Sequence, residues 1–373
     1  MPELERIPPN EAELIESIVK NTVEQMKKRY SSETTVRRGV HPKDHGCVMA
    51  RFKVNDSLPE HLRVGVFANP GQVYEAWIRF SNASLRSGVD SGPGKSGALE
   101  HGGRGMAMKL LGVTGDPLVP PHGPLTQDFL MINQPVFAFS NAEDYAVLND
   151  VVTAKGDENA EGFFARVKSP DVATAARARR TLDIISGIRS TVFPPAFQEP
   201  PASPVDNRYF SGSPFLFGED RVMKYSANPI DPRPDEKPDL ADPHYLRTAL
   251  HNRLTAPDAK DIVFDFLLQV RTASEIAAKI ETDIEDASCL WPEKDHAFES
   301  VATITIPPQD FETVERRELC ESLSFTPWHG IAEHRPLGGI NRLRLAVYEV
   351  STQMRHVPPE PAPASGTGAT AGS

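Results

Sequence analysis

Residues 10–29 place Leu14, Ile15, Ile18, Val19, Val23 and Met26 at helical spacing. That pattern predicts an amphipathic helix packed on the body of the protein, with Asn10 as its N-cap. Beyond it the period falls to two. Val48, Ala50, Phe52 and Val54 share one face of a predicted strand; Tyr74, Ala76, Ile78 and Phe80 do the same in a second. Met106, Met108 and Leu110 mark a third, and 129–132 a fourth that is apolar on both faces. Three more follow at 222–225, 262–270 and 301–306. Seven or eight strands without regular helices between them favour an antiparallel barrel or sandwich over a parallel sheet.

Helical patterns occupy 141–190, between the two groups of strands. Asn141 stands before Ala142, Glu143 and Asp144 as a second predicted N-cap, and 169–190 is rich in Ala and Arg. Segments 192–220 and 227–245 read as Pro- and Asp-rich loops. The 34 prolines in 373 residues are about 9%, against a usual ~5%, which suits long irregular connections better than a helix bundle. The predicted organisation is one domain over 1–356, with 1–30 as a helical arm, and a disordered tail of Pro, Ala, Gly, Ser and Thr over 357–373.

Composition removes several function classes. Fifty-one acidic against 40 basic residues give a formal charge of −11, which argues against sequence-independent nucleic-acid binding. No apolar run approaches the about 18 residues of a membrane-spanning helix, and the charged first 30 residues lack a signal-peptide core. Cys47, Cys289 and Cys320 are too few and too scattered for a disulfide framework or a zinc site. A reducing, cytoplasmic compartment is expected.

Four stretches could carry chemistry. His41 and His45 lie four apart before the first strand, but Gly39, Pro42 and Gly46 exclude the helix that would pair them on a metal. Arg79 and Ser81 share one side of the second strand, opposite Ile78 and Phe80; they line a barrel or face solvent. Asn133 interrupts a buried strand beside aromatics, and a buried amide must be hydrogen-bonded or serve a ligand. Near the end, Arg344, Tyr348 and Arg355 fall within about 40° on one helical face. A guanidinium beside a phenol favours phenolate. A surface Arg–Tyr stripe is the alternative.

In order, these pieces resemble the catalase superfamily. The distal Arg-x-Val-His-x-Lys stretch of catalases is matched by Arg38-Gly-Val-His-Pro-Lys43, their Arg-Phe-Ser by Arg79-Phe-Ser81, and their Arg-Gly-Phe-Ala-x-Lys strand by Arg104-Gly-Met-Ala-Met-Lys109. Asn133 corresponds to the distal Asn before Pro-x-Phe, and Arg344, Tyr348 and Arg355 keep the proximal spacings. There are departures. Glu349 replaces the usual Pro-Asp after the proximal Tyr, Asp44-His45-Gly46-Cys47 replaces a small Gly/Ala run, and Asn133 sits one residue nearer its Pro. Ordered sequence is expected to stop near Arg355, short of the helical domain that typical catalases carry. The trimmed pattern is similar to small catalase-like haem proteins, which include catalase-related peroxidases and the coral allene oxide synthase.

The resemblance implies an α+β fold: a catalase-like antiparallel barrel of about eight strands with flanking helices and a proximal helix that ligates haem. It implies haem b, with Tyr348 as axial iron ligand and Arg344 lowering its pKa. His41 would move the peroxide proton, Asn133 would donate to the bound peroxide, and Ser81 would orient the His41 ring. Arg38, Arg79 and Arg355 would pair with the propionates and Val40 would flank the haem. His45 is the rival for the distal role, and Cys47 has no assigned one. The expected activity is a haem-dependent peroxidase taking hydrogen peroxide or an organic or lipid hydroperoxide. A fatty-acid hydroperoxide isomerase and a non-catalytic haem-binding protein are the alternatives. A homodimer or homotetramer is expected.

Overall fold

The computed structural model describes residues 4–33, 35–82, 90–93, 99–101, 103–155, 165–187, 201–233, 236–278 and 283–363. Eight antiparallel strands form its centre: β1 (Asp44–Val54), β2 (Val73–Asn82), β3 (Arg104–Leu111), β4 (Thr126–Ile132), β5 (Tyr209–Phe210), β6 (Arg221–Pro229), β7 (Ile262–Thr272) and β8 (Glu299–Ile306). Each pairs with its neighbours in sequence and β8 pairs with β1, so these eight close into a barrel; the two-residue strand Phe215–Leu216 adds to β6 as a ninth. Closure confirms the barrel over the sandwich.

Alternation decides what faces inward. Val48, Ala50, Phe52 and Val54 of β1, Ile78 and Phe80 of β2, Met106 and Met108 of β3 and Phe129 of β4 are all buried in one apolar core. Aromatic rings fill its middle: Phe129 and Phe266 lie 4.9 Å apart by centroid, and Phe52 meets Phe266 edge-on at 5.2 Å. The interior is packed solid.

Helices cover the outside: α1 (Glu11–Arg29), α2 (Ala142–Lys155), α3 (Val172–Gly187), α4 (Tyr245–Thr255), α5 (Ala273–Ala278), α6 (Val314–Ser322) and α7 (Gly339–Arg355). Ile18 of α1, Ala142 of α2, and Leu343 and Val347 of α7 form a separate apolar cluster that holds the three together. Arg342 fixes the start of α7 through Glu5, Glu11 and Glu285 at 2.5–2.7 Å. The two predicted caps differ. Asn141 Oδ1 accepts from Asp144 N at 3.0 Å, whereas Asn10 makes no side-chain cap and donates instead to Glu143. The arm is tied to α2 there.

The chain after α7 also differs from expectation. Residues 357–363 are irregular but anchored: Glu360 N donates to His122 O at 2.7 Å. Its carboxylate lies 3.0 Å from the buried Lys109, which Asp128 also pairs at 2.8 Å. A buried ammonium draws in counter-charge, so loose chain does not begin at Val357. Residues 364–373 of the expected tail lie outside the described residues. Among the described residues, no helix is long and apolar enough to cross a membrane.

Candidate functional site

Since Ile78 and Phe80 point into the barrel, Arg79 and Ser81 point out of it. They are nevertheless buried, at 3% and 4% exposure, because α7 lies across this face. The site is therefore neither a barrel lumen nor a solvated wall. Gly105 and Ala107 of β3 and Leu130 and Ile132 of β4 continue the barrel-side wall; Arg344, Tyr348, Ser351, Thr352 and Arg355 of α7 form the opposite one. Together with Arg38, Val40 and His41 they line one cavity of about 110 Å³, partly open to solvent.

His41 and His45 part company at a β-bulge. The β1–β2 register shifts between Asp44 and Gly46, which turns His45 away from the cavity. His45 is wholly buried, its Nε2 2.8 Å from Asn82 Oδ1 and its Nδ1 3.6 Å from Asp90 Oδ1. His41 lines the cavity instead, with Nδ1 2.9 Å from Ser81 Oγ. Its backbone is left-handed, at φ 53°. Burial, and then the charges of Arg79, Arg344 and Arg38, push its pKa down to about 3, so the ring is neutral at pH 7. Gly105 makes room for it: a Cβ there would lie 2.6 Å from His41 Cε1 and 2.9 Å from Ser81 Oγ.

Asn133 does not join them. It sits just past β4, where its Oδ1 accepts from Arg104 N at 2.7 Å and its Nδ2 donates to Asn207 Oδ1 at 3.4 Å. Both ends of the amide are engaged in closing the strand. The side chain that β4 delivers to the cavity at this point is Ile132, paired across the ladder with Gly105.

Four arginines line the cavity, and among the described lining residues there is no carboxylate. Arg344 Nη1 donates to Asn341 Oδ1 at 3.1 Å, and its guanidinium stands 5.4 Å from the centre of the Tyr348 ring and 5.6 Å from that of Phe137. Arg38 is held by Glu321 at 3.1 Å and by the carbonyls of Cys320 and Leu323. Arg355 shares the Leu323 carbonyl at 2.9 Å, and Arg79 donates to His41 O at 2.9 Å. The Nε atoms of Arg79, Arg344 and Arg355 are buried with no acceptor. Such donors are costly unless a ligand meets them. Burial, and then Arg38 and Arg79, bring Arg355 down to about 9. The cavity is built for a group that carries negative charge.

The residues present fit haem. Unpartnered donors on three lining arginines suit propionates, and Tyr348 offers a phenol on the helix wall. Among the described residues no cluster of His, Cys, Asp and Glu could hold a bare metal ion, so a metal here would need most of its ligands from the group that brings it. Of the expected site residues, the structure brings together Arg38, Val40, His41, Arg79, Ser81, Arg344, Tyr348 and Arg355, and leaves out Asn133 and His45. Sequence reasoning did not single out Ile132, Phe137 or Phe325, which also line the cavity. The signal was present in the misplaced spacing of Asn133 to its Pro.

Compared by sequence, the chain matches no family model and no curated protein. Compared by structure, it resembles a fungal catalase at a TM-score of 0.65 and 15% identity, covering 89% of this chain and 61% of that one. Catalase A from Saccharomyces cerevisiae gives 0.65 and 14%, covering 88% and 63%. A bacterial catalase gives 0.62 and 16%, covering 94% and 62%. The chain thus spans a little over three fifths of these proteins. Its fold is catalase-like: a closed antiparallel barrel of eight strands with flanking helices.

Proposed function

We propose that this chain is a haem-dependent peroxidase. The observation that carries the reading is one cavity with His41 and Ser81 on the barrel wall and Arg344 and Tyr348 on the helix wall. Its likeness in fold to catalases supports it.

When bound, ferric haem supplies the redox chemistry that breaks a peroxide O–O bond. Tyr348 would be its iron ligand, with the Arg344 guanidinium 5.4 Å from the centre of its ring. Arg79 and Arg355 would pair with its propionates through their unpartnered Nε groups; Arg38, tied to Glu321 and two carbonyls, backs them with charge. With Nδ1–H donated to Ser81 Oγ, the Nε2 lone pair of His41 is left to take a proton from one peroxide oxygen. The same atom returns it to the other oxygen as that leaves. A pKa near 3 keeps His41 unprotonated at pH 7. Asn133, bonded to Arg104 N and Asn207 outside the cavity, has no part in this proton transfer.

The test is an absorption spectrum of protein reconstituted with ferric haem, in wild type and Tyr348→Phe. A Soret band that is altered or lost in the variant supports the reading. No Soret band at excess haem in the wild type overturns it.

A further inference from the structure

We infer that Ile132 is a specificity-determining residue that sets this site for hydroperoxides bearing an apolar substituent over hydrogen peroxide. The inference rests on the peroxidase reading. Ile132 pairs with Gly105, the residue whose missing Cβ makes room for the His41 ring, so its side chain stands beside that ring. It occupies the position that the catalase spacing to Pro135 reserves for an amide, while Asn133 is held outside by Arg104 N and Asn207.

Among the described residues, the lining beside Ile132 supplies no replacement. Ala107 and Leu130 flank Ile132 on the wall, and Phe137 lies beside Gly212. Ser211 Oγ, nearby on the lining, already donates to Ser213 O at 2.8 Å. With Ser81 engaged by His41 Nδ1 and Arg79 assigned to a propionate, His41 is left as the polar partner for a bound peroxide among the described residues of this wall.

Hydrogen peroxide carries an O–H on each oxygen. One finds His41; the other faces hydrocarbon, and an unpaired polar group is disfavoured there. An organic hydroperoxide has a single O–H. Its other oxygen bears carbon, and that carbon gains contact with Ile132, Leu130, Ala107 and Phe137. An apolar wall disfavours a ligand hydroxyl that it cannot pair, by up to about 10²-fold.

The experiment uses haem-reconstituted wild type, Ile132→Asn and the size control Ile132→Val. Two quantities are read: the ratio of kcat/KM for cumene hydroperoxide to that for hydrogen peroxide, and the Kd of the unreactive alcohol 2-phenyl-2-propanol from its perturbation of the Soret band. The expected result is a wild-type ratio well above one. Ile132→Asn lowers that ratio by about tenfold, the factor one hydrogen bond commonly contributes, and binds the alcohol more weakly; Ile132→Val changes both little. A ratio unmoved in Ile132→Asn, or a wild type that prefers hydrogen peroxide, overturns the inference while haem binding and peroxide consumption leave the peroxidase reading standing. Absence of a Soret band in the wild type removes both.

Discussion

The two faces of the barrel wall come from the same strands and are both buried, yet they are built to opposite ends. Inward, Ile78, Phe80, Met106, Met108 and Phe129 pack with Phe52, Phe67 and Phe266 in one buried apolar core. Outward, one residue along, stand Arg79, Ser81, Gly105, Ala107, Leu130 and Ile132, which leave a cavity and place polar groups around it. The period of two in a strand therefore separates stability from chemistry at single-residue resolution. The inner face fixes the curvature of the wall; the outer face uses that fixed surface to aim side chains at α7. Substitutions on the two faces should divide accordingly.

The largest effect belongs to the inner face. Phe129 touches four other rings, with centroids 4.9–6.2 Å away. Phe129→Ala should destabilise the protein by about 3–5 kcal/mol through the cavity it leaves. The check is the urea midpoint, which should fall with little change in slope. An unchanged midpoint would mean that the interior is looser than its ring contacts imply.

That same separation explains what could be read from the sequence. The inward residues were legible because hydrophobic alternation in β1, β2 and β3 is strict; the strand pattern favoured an antiparallel barrel or sandwich, and the pairing of β8 with β1 decides for the barrel. Arg79 and Ser81 were legible as a pair on one face, but whether that face was covered was not, because its cover comes from α7 about 260 positions later in the chain. The helix face bearing Arg344, Tyr348 and Arg355 needed only the 3.6-residue repeat. Asn133 misled because a strand pattern cannot show where the strand stops: the backbone leaves β4 at Ile132, and the next side chain turns back to the Arg104 amide. The bulge at Asp44–Gly46, which separates the two histidines, has no hydrophobic signature at all; Gly46, at φ 142°, is its sole trace in the sequence.

An intermediate effect sharpens the comparison on the outer face. At Gly105 the nearest atoms to an added Cβ are side-chain atoms: the imidazole of His41 at 2.6 Å and the Ser81 hydroxyl at 2.9 Å. Side-chain ends move more easily than backbone, so Gly105→Ala should shift the urea midpoint far less than Phe129→Ala. Peroxide reactivity is a different matter. A catalytic group displaced by about 1 Å can lose on the order of 10²-fold in rate. Stopped-flow kinetics on haem-loaded protein should show that loss with the Soret band retained. A rate within about twofold of wild type would place proton transfer somewhere other than His41.

The smallest effect is one that should barely appear. An imidazole of ordinary pKa, about 6.5, would be only about 3% neutral at pH 5, and a rate that depends on the neutral form would fall about 25-fold between pH 7 and pH 5. His41 is depressed to about 3 by burial and by three cavity arginines, so protonation begins only well below pH 5. The rate of peroxide reaction should therefore change by less than about twofold between pH 7 and pH 5 and decline as pH approaches 3. The sign follows from the base role: protonation removes the lone pair on Nε2, so activity is lost on the acid side. A bound carboxylate paired with Arg79 would remove one of the depressing charges and move the acid limb upward. The position of that limb thus reads how completely Arg79 is paired in the loaded cavity. A midpoint at about 6.5 would mean that neither burial nor the arginines depress His41.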